Sequence, residues 1–178
     1  MPGVANLLPV NTSRAHAIAE LERLHRQYQE LISSLADADW ERPGTIGGGD
    51  WSLRDLVGHI MSWEELALGA ISAAETDRLP PLPGGDIDEA NREMVARQGQ
   101  LPLEELRKRA TTTHAQLIQT ISELTPATWV MPVTMGDDPP LELGELVGRV
   151  LGADDHPFGH LTAHLGDLGS FAEAPPTS

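Results

Sequence analysis

Residues 35–43 read LADADWERP and residues 124–132 read LTPATWVMP, so the pattern L-x4-W-x2-P occurs twice in the chain. At a similar distance after each copy lies a second pair of similar segments, LRDLVGHI from Leu53 and LGELVGRV from Leu143. Two matches in register indicate a duplicated helical hairpin. We expect the two hairpins to form a pseudo-symmetric four-helix bundle, with a long connection between its second and third helices and each tryptophan packed under its own loop.

Apolar residues recur at intervals of three and four along four long stretches, which is the spacing of an amphipathic helix. These stretches begin near Thr12, Ser52, Pro102 and Leu143. A shorter helix is expected over residues 87–98. Pro157 interrupts the last stretch, so we expect a kink or break near residues 153–156 in a stripe that otherwise runs on to Leu168. The predicted fold class is all-α.

The composition excludes several kinds of protein. The 178 residues include no cysteine, which rules out a disulfide framework, a thiolate metal site and a cysteine nucleophile. No stretch approaches the roughly 20 apolar residues of a membrane span, and the first residues lack the pattern of a signal peptide. We expect a cytoplasmic protein with one domain over residues 12–171, an N-terminal extension over 1–11 and a flexible tail over 172–178.

The charge of the chain is strongly acidic. Twelve lysines and arginines oppose 27 aspartates and glutamates, which gives a formal net charge of -15 at pH 7. Such a charge repels phosphate backbones and anionic lipid surfaces. We therefore expect neither nucleic acid nor a membrane as a partner, and a small molecule as the substrate.

Three histidines lie where core side chains belong. His59 shares a helical stripe with Leu56 and Trp63, and aligns in the repeat with Arg149, so duplication does not account for it. His160 and His164 lie four residues apart on the last apolar stripe, so they share one helix face.

Buried imidazoles require partners. An unpaired buried polar group costs about 1 to 3 kcal/mol, which a metal ion or hydrogen bonds must offset. Neutral imidazole is a ligand for zinc, nickel, copper or iron. The sequence therefore predicts a three-histidine metal site with open coordination positions at His59, His160 and His164, and hydrogen-bonded core histidines are the alternative.

Other side chains are candidates for roles around such a site. Glu64 and His156 are the candidate general bases, and Glu64 and Asp167 are candidates to orient a ligand imidazole. His156, next to Pro157, is expected to cap a helix or to lie at the rim of the site. The candidates to line the approach are Met61, Trp63 and Asn91. The remaining histidines, each alone on a helix and expected at the surface or its boundary, are His16, His25 and His114.

These residues resemble the DinB-like superfamily of four-helix bundles, which includes DfsB-type and mycothiol-dependent maleylpyruvate isomerase-like proteins. The resemblance rests on LADADWERP, on GGGDWSLRDLVGHIMSWEE, on DIDEANREMV and on PFGHLTAHLGDL, and it covers nearly the whole chain. By this resemblance, His59, His160 and His164 occupy the three metal-ligand positions of the superfamily.

The end of the sequence departs from the superfamily pattern. Where that pattern has a threonine and two tyrosines, this chain has Pro157, Phe158 and Leu161, which carry no hydroxyl group. The resemblance implies a divalent metal ion, zinc or nickel, and a low-molecular-weight thiol cosubstrate for thiol-dependent transfer or isomerisation, or for hydrolysis of small and toxic molecules. The alternative is a non-enzymatic protein that sequesters a small molecule, and homodimerisation is a further expectation.

Overall fold

The computed structural model describes residues 13–33, 35–46, 51–76, 78, 82–135, 138–153 and 156–173. The predicted extension over 1–11 and most of the predicted tail over 172–178 lie outside these ranges. The described elements, in chain order, are α1 (Arg14–Ile32), α2 (Asp37–Trp40), β1 (Pro43–Ile46), β2 (Trp51–Ser52), α3 (Leu53–Glu75), α4 (Ile87–Gln98), α5 (Leu103–Glu123), α6 (Pro126–Trp129), β3 (Pro132–Val133), β4 (Leu141–Glu142), α7 (Leu143–Val150) and α8 (His160–Glu173).

The mostly helical architecture confirms the predicted all-α class. The bundle consists of α1, α3, α5 and a fourth helix that is broken into α7 and α8. The short helix α4 occupies the long connection between the two hairpins and packs on α3. None of the described helices combines the length and the apolar character needed to cross a bilayer.

The duplicated hairpin is visible as a repeated order of elements. A four-residue helix ending in tryptophan and an antiparallel strand pair follow α1, and the same series follows α5. Pro43 pairs with Ser52 in the first hairpin, and Pro132 pairs with Glu142 in the second. We expected loops at both places, because short segments rich in proline and glycine carry no alternating pattern.

The two repeated tryptophans anchor different parts of the core. Trp40 and Trp129 are both buried, and each belongs to its own apolar cluster. The guanidinium of Arg107 lies 4.1 Å from the ring centre of Trp40. Trp129 packs against Gly144 so closely that a Cβ atom at that position would overlap its indole. Each hairpin therefore contributes one aromatic anchor.

The central helix is α3, whose residues contribute to both apolar clusters. Its first turn is closed by a capping box, in which Asp55 N donates to Ser52 Oγ at 3.2 Å and Ser52 N donates to Asp55 Oδ2 at 2.9 Å. Most of the α3 side chains from Leu53 to Ala74 are buried. A residue on α3 can therefore take part in an internal site.

The predicted break in the last helix is confirmed, and it is larger than a kink. After α7 ends at Val150, Ala153 and His156 exchange two backbone hydrogen bonds of 2.9 and 3.2 Å. Phe158 adopts a positive φ of 63°, and burial of its ring offsets the strain of that backbone. The break was predicted over residues 153–156, and it extends over the nine residues between Val150 and His160.

Candidate metal centre

The structure brings His59, His160 and His164 together, as the sequence predicted. His59 lies on α3 and the other two lie on the first turns of α8, 101 and 105 positions further along the chain. The Nε2 atoms of His59 and His160 are 2.9 Å apart, and those of His160 and His164 are 3.3 Å apart. One ligand atom from each of the three rings lies within 4.8 Å of the others.

These separations fit a shared divalent ion. An ion about 2.1 Å from each nitrogen holds two nitrogens about 2.9 to 3.4 Å apart at angles of about 90 to 110°. The two closest nitrogen pairs fall at the two ends of this range. Three neutral nitrogen donors also suit zinc, nickel and related ions. The type of donor and two of the three nitrogen separations therefore fit such a metal.

Burial keeps the cluster uncharged. Desolvation, followed by the neighbouring His160 and His164, lowers the pKa of His59 to about 2. Desolvation and then His164 lower the pKa of His160 to about 3. The pKa of His164 is also lowered by burial, and the nearby carboxylate of Asp167 opposes that change. At neutral pH all three rings therefore keep a nitrogen lone pair for a ligand.

Two tryptophans flank the cluster. The ring centre of Trp51 lies 4.9 Å from that of His59, and the ring centre of Trp63 lies 5.9 Å from that of His160. The indole Nε1 of Trp63 donates to Asn91 Oδ1 at 3.1 Å, which ties this ring to α4. Trp63 and Asn91 were predicted to line the approach, whereas the partly buried Trp51 was not. Trp51 lies two residues before the first residue of α3, outside the helical pattern, so the sequence did not indicate that it would lie beside the histidines.

Glu64 contacts a histidine outside the cluster. Its Oε1 atom lies 2.6 Å from Nδ1 of His114, and both side chains are buried. Burial raises the pKa of the Glu64 carboxyl, and the hydrogen bond to His114 opposes the rise. A cavity of about 20 Å³ lies between Glu64 and His160, and it has room for one water molecule. Glu64 is thus a neighbour of the cluster without touching it.

The prediction of a surface or boundary position for His114 is wrong, since its exposed fraction is 7%. The ring of His114 stacks on that of His25, with centres 3.6 Å apart and planes inclined by 6°. Burial, and then His114, lower the pKa of His25 to about 4. The buried partner of His114 is Glu64, which lies 50 positions away on another helix. Periodicity along one helix does not reveal a contact of this kind.

The remaining predicted residues lie apart from the histidine cluster. His156 is exposed and forms its described backbone bonds within the break before α8. Asp167 is exposed, and its effect reaches only the pKa of His164. Met61 is fully buried and packs in the core. The catalytic roles predicted for Glu64 and His156 stay predictions.

Solved structures share this fold at low sequence identity. A crystal structure of mycothiol-dependent maleylpyruvate isomerase is 17% identical with a TM-score of 0.68, over 88% of this chain and 61% of that one. A structure titled sibling lethal factor precursor, DfsB, is 15% identical with a TM-score of 0.62, over 90% and 91% of the two chains. The present chain thus spans about three fifths of the isomerase's length. Comparison with curated protein sequences gives no match.

A third structure corrects the exclusion of nucleic acid. The colibactin self-resistance protein ClbS, in complex with double-stranded DNA, is 14% identical with a TM-score of 0.74, over 93% of this chain and 99% of that one. A protein of this fold can therefore be crystallised with DNA. The expectation that nucleic acid is excluded was wrong because net charge averages over the whole surface and does not describe a local contact.

The family is established by sequence. A model of the mycothiol maleylpyruvate isomerase N-terminal domain matches residues 21–153, which is most of the chain. This match includes His59 and ends before His160 and His164. Because this model matches more than half of the sequence, the chain belongs to the mycothiol maleylpyruvate isomerase N-terminal domain family.

Proposed function

We propose that this protein is an enzyme that binds a divalent metal ion, zinc or nickel, through His59, His160 and His164 and acts on a small molecule. The single observation that carries the proposal is the convergence of three uncharged imidazole nitrogens inside the bundle. The family membership and the likeness to a mycothiol-dependent isomerase favour a low-molecular-weight thiol as cosubstrate. Thiol transfer, isomerisation and hydrolysis are the reactions compatible with this site.

The metal would supply the acidity for this chemistry, since a bound divalent ion lowers the proton affinity of a thiol or a water at neutral pH. The histidines contribute neutral donors, so the site keeps its positive charge for the incoming ligand. Trp51 and Trp63 shield the imidazoles from bulk water, which strengthens electrostatic interactions at the site. With three ligands among the residues that the structure describes, coordination positions would remain for a substrate or cosubstrate.

Proton transfer is the less defined part of the proposal. Among the described residues, no carboxylate forms a hydrogen bond with the three histidines. Glu64 remains the candidate general base because it borders the same small cavity as His160. His156 remains the second candidate, from the exposed segment just before α8. Either residue would act through a water molecule or through the substrate itself.

Elemental analysis tests whether the three histidines bind a metal ion. Protein purified without an affinity tag is expected to carry close to one equivalent of zinc or nickel, and the variants His59→Ala and His160→Ala are expected to carry none. Metal-loaded protein is then assayed for thiol consumption with electrophilic small molecules. Retention of metal by both variants would refute the assigned site, whereas bound metal with no turnover would refute the enzymatic part.

Sequestration of a small molecule is the second candidate function. Two observations favour it: a protein of the same fold is a self-resistance protein, and no described carboxylate is hydrogen-bonded to the histidine cluster. Sequestration predicts stoichiometric retention of a ligand that is recovered unchanged. Chemical analysis of the ligand after binding separates this outcome from turnover.

A further inference from the structure

The two hairpins differ at the positions that surround the histidine cluster. Core positions are the same in α3 and α7: the run Leu56, Val57 and Gly58 corresponds to Leu146, Val147 and Gly148, and all six residues are buried. The repeated fold therefore constrains these positions to the same residues.

Three such differences lie together in space. Position 59 is histidine where the second hairpin has Arg149, and the preceding strand carries Trp51 where the second has Leu141. Position 63 is tryptophan where the corresponding residue is Ala153. The second strand pair forms with leucine in place of Trp51, whereas Ala153 lies beyond the end of α7 and is no helical counterpart of Trp63. Trp51 and Trp63 both border the histidine cluster, and Trp63 also packs against the apolar core.

The two indoles lie against different histidines of the cluster. Trp51 is tilted by 50° to His59, and Trp63 is nearly perpendicular to His160, at 77°. Both indoles are only partly buried. The hydrogen bond from Trp63 to Asn91 holds that ring in place, so it need not be ordered when a ligand binds.

We propose that Trp51 and Trp63 form a subsite for a flat aromatic or conjugated group on the molecule that binds the metal at the three histidines. This inference rests on the proposed function and names the substrate class of that site. Indole faces bind flat unsaturated groups through offset or edge-to-face contacts.

Two metal-binding probes that differ only in their ring test the inference. Benzohydroxamate and cyclohexanecarbohydroxamate carry the same chelating group, one on a flat ring and one on a puckered ring of the same size. Their dissociation constants are measured by calorimetry on metal-loaded protein of known metal content. We expect the aromatic probe to bind roughly fivefold more tightly. In Trp51→Leu and Trp63→Leu the difference is expected to fall to less than twofold.

The conservative variant Trp51→Phe is the matched control, because it keeps a flat ring and should retain the preference. Acetohydroxamate, which has no ring, should bind all variants equally if their metal content is unchanged. Equal binding of the two ring probes to metal-loaded wild-type protein would overturn the aromatic subsite and leave the metal site standing. Protein that takes up no metal in the parallel elemental analysis would overturn the proposed function, and the subsite with it.

Discussion

The imidazoles of His59 and His160 remain neutral well below the pH at which an ordinary histidine becomes charged, and the pKa of His164 is lowered as well. Burial lowers the pKa of each ring, and the nearest rings lower those of His59 and His160 further. Three desolvated donors in one place are costly unless something binds them. At the scale of single residues, this cost is the reason to assign the cluster a ligand.

Removal of one donor should separate metal binding from folding. His164→Ala is expected to lower metal affinity at least about 100-fold, because two imidazoles hold a divalent ion far more weakly than three. His164 is only partly buried, so helicity measured by circular dichroism should be nearly unchanged. The exposed His156 provides the control, and His156→Ala should bind metal as the wild type does. Equal affinity in His164→Ala would contradict the ligand assignment.

The buried pair of Glu64 and His114 should behave as a unit. His114→Leu leaves a buried carboxylate without its 2.6 Å partner, and the expected loss is about 3 kcal/mol in the free energy of unfolding. Replacement of both residues, as Glu64→Met with His114→Leu, should restore much of that loss because no unpaired group remains. Urea unfolding measures both effects, and an additive loss in the double variant would show that the pair is not coupled.

At the scale of elements, the repeat was predictable from sequence and the strands were not. Two tryptophan motifs in register were sufficient to place four helix ends. The strands β1 to β4 have two to four residues each, and backbone pairing across the hairpin holds them instead of a side-chain pattern. Pro157 allowed the break before α8 to be predicted, but not its length, because the bonds between Ala153 and His156 are local to the folded turn.

The contact between α7 and α6 depends on one glycine. In Gly144→Ala the new methyl group would overlap the rigid indole of Trp129, so we expect a loss of about 2 to 4 kcal/mol in the free energy of unfolding. Gly166→Ala is the matched control, since that exposed position in α8 has free space around it. There the gain in helix propensity should stabilise the protein by roughly 0.5 to 1 kcal/mol. Thermal unfolding of the two variants should shift in opposite directions.

At the scale of the whole molecule, stability should fall in mild acid. The unfolded chain protonates His59 and His160 below about pH 6.5, whereas the folded pKa values are about 2 and about 3. Their contribution to the free energy of unfolding is complete above pH 6.5. As the pH falls below 6, the two histidines together lower this free energy by about 3 kcal/mol for each pH unit. The lowered pKa of His25 adds to this loss, and the raised pKa of Glu64 opposes it.

Chemical unfolding of metal-free protein at pH 7, 6 and 5 measures this dependence. In His59→Leu one of the buried imidazoles is missing, so the slope should be smaller by about 1.4 kcal/mol per pH unit. A free energy of unfolding that does not change between pH 7 and 5 would contradict the buried, neutral state of the cluster.

Whole-molecule charge was the least informative property of the sequence. From the acidic excess we predicted that nucleic acid is not a partner. A protein with the same fold has been crystallised with DNA, so net charge does not justify that prediction. Helical periodicity, in contrast, correctly predicted that His59, His160 and His164 face one point, because the spacing of side chains along a helix follows from backbone geometry. Predictions from sequence were therefore reliable where local geometry decides the outcome.

The separation of His59 and His160 by 101 positions has a consequence for how an ion would be acquired. The three nitrogens come together only where α8 packs against α3, and closing a loop of this length costs roughly 4 to 5 kcal/mol in chain entropy. Unlike a zinc finger, in which the metal nucleates the structure, this bundle would have to assemble first and capture its ion afterwards. The rate of loading would then follow opening motions of α8 against α3, and slow exchange of the ion would be a property of the mature protein.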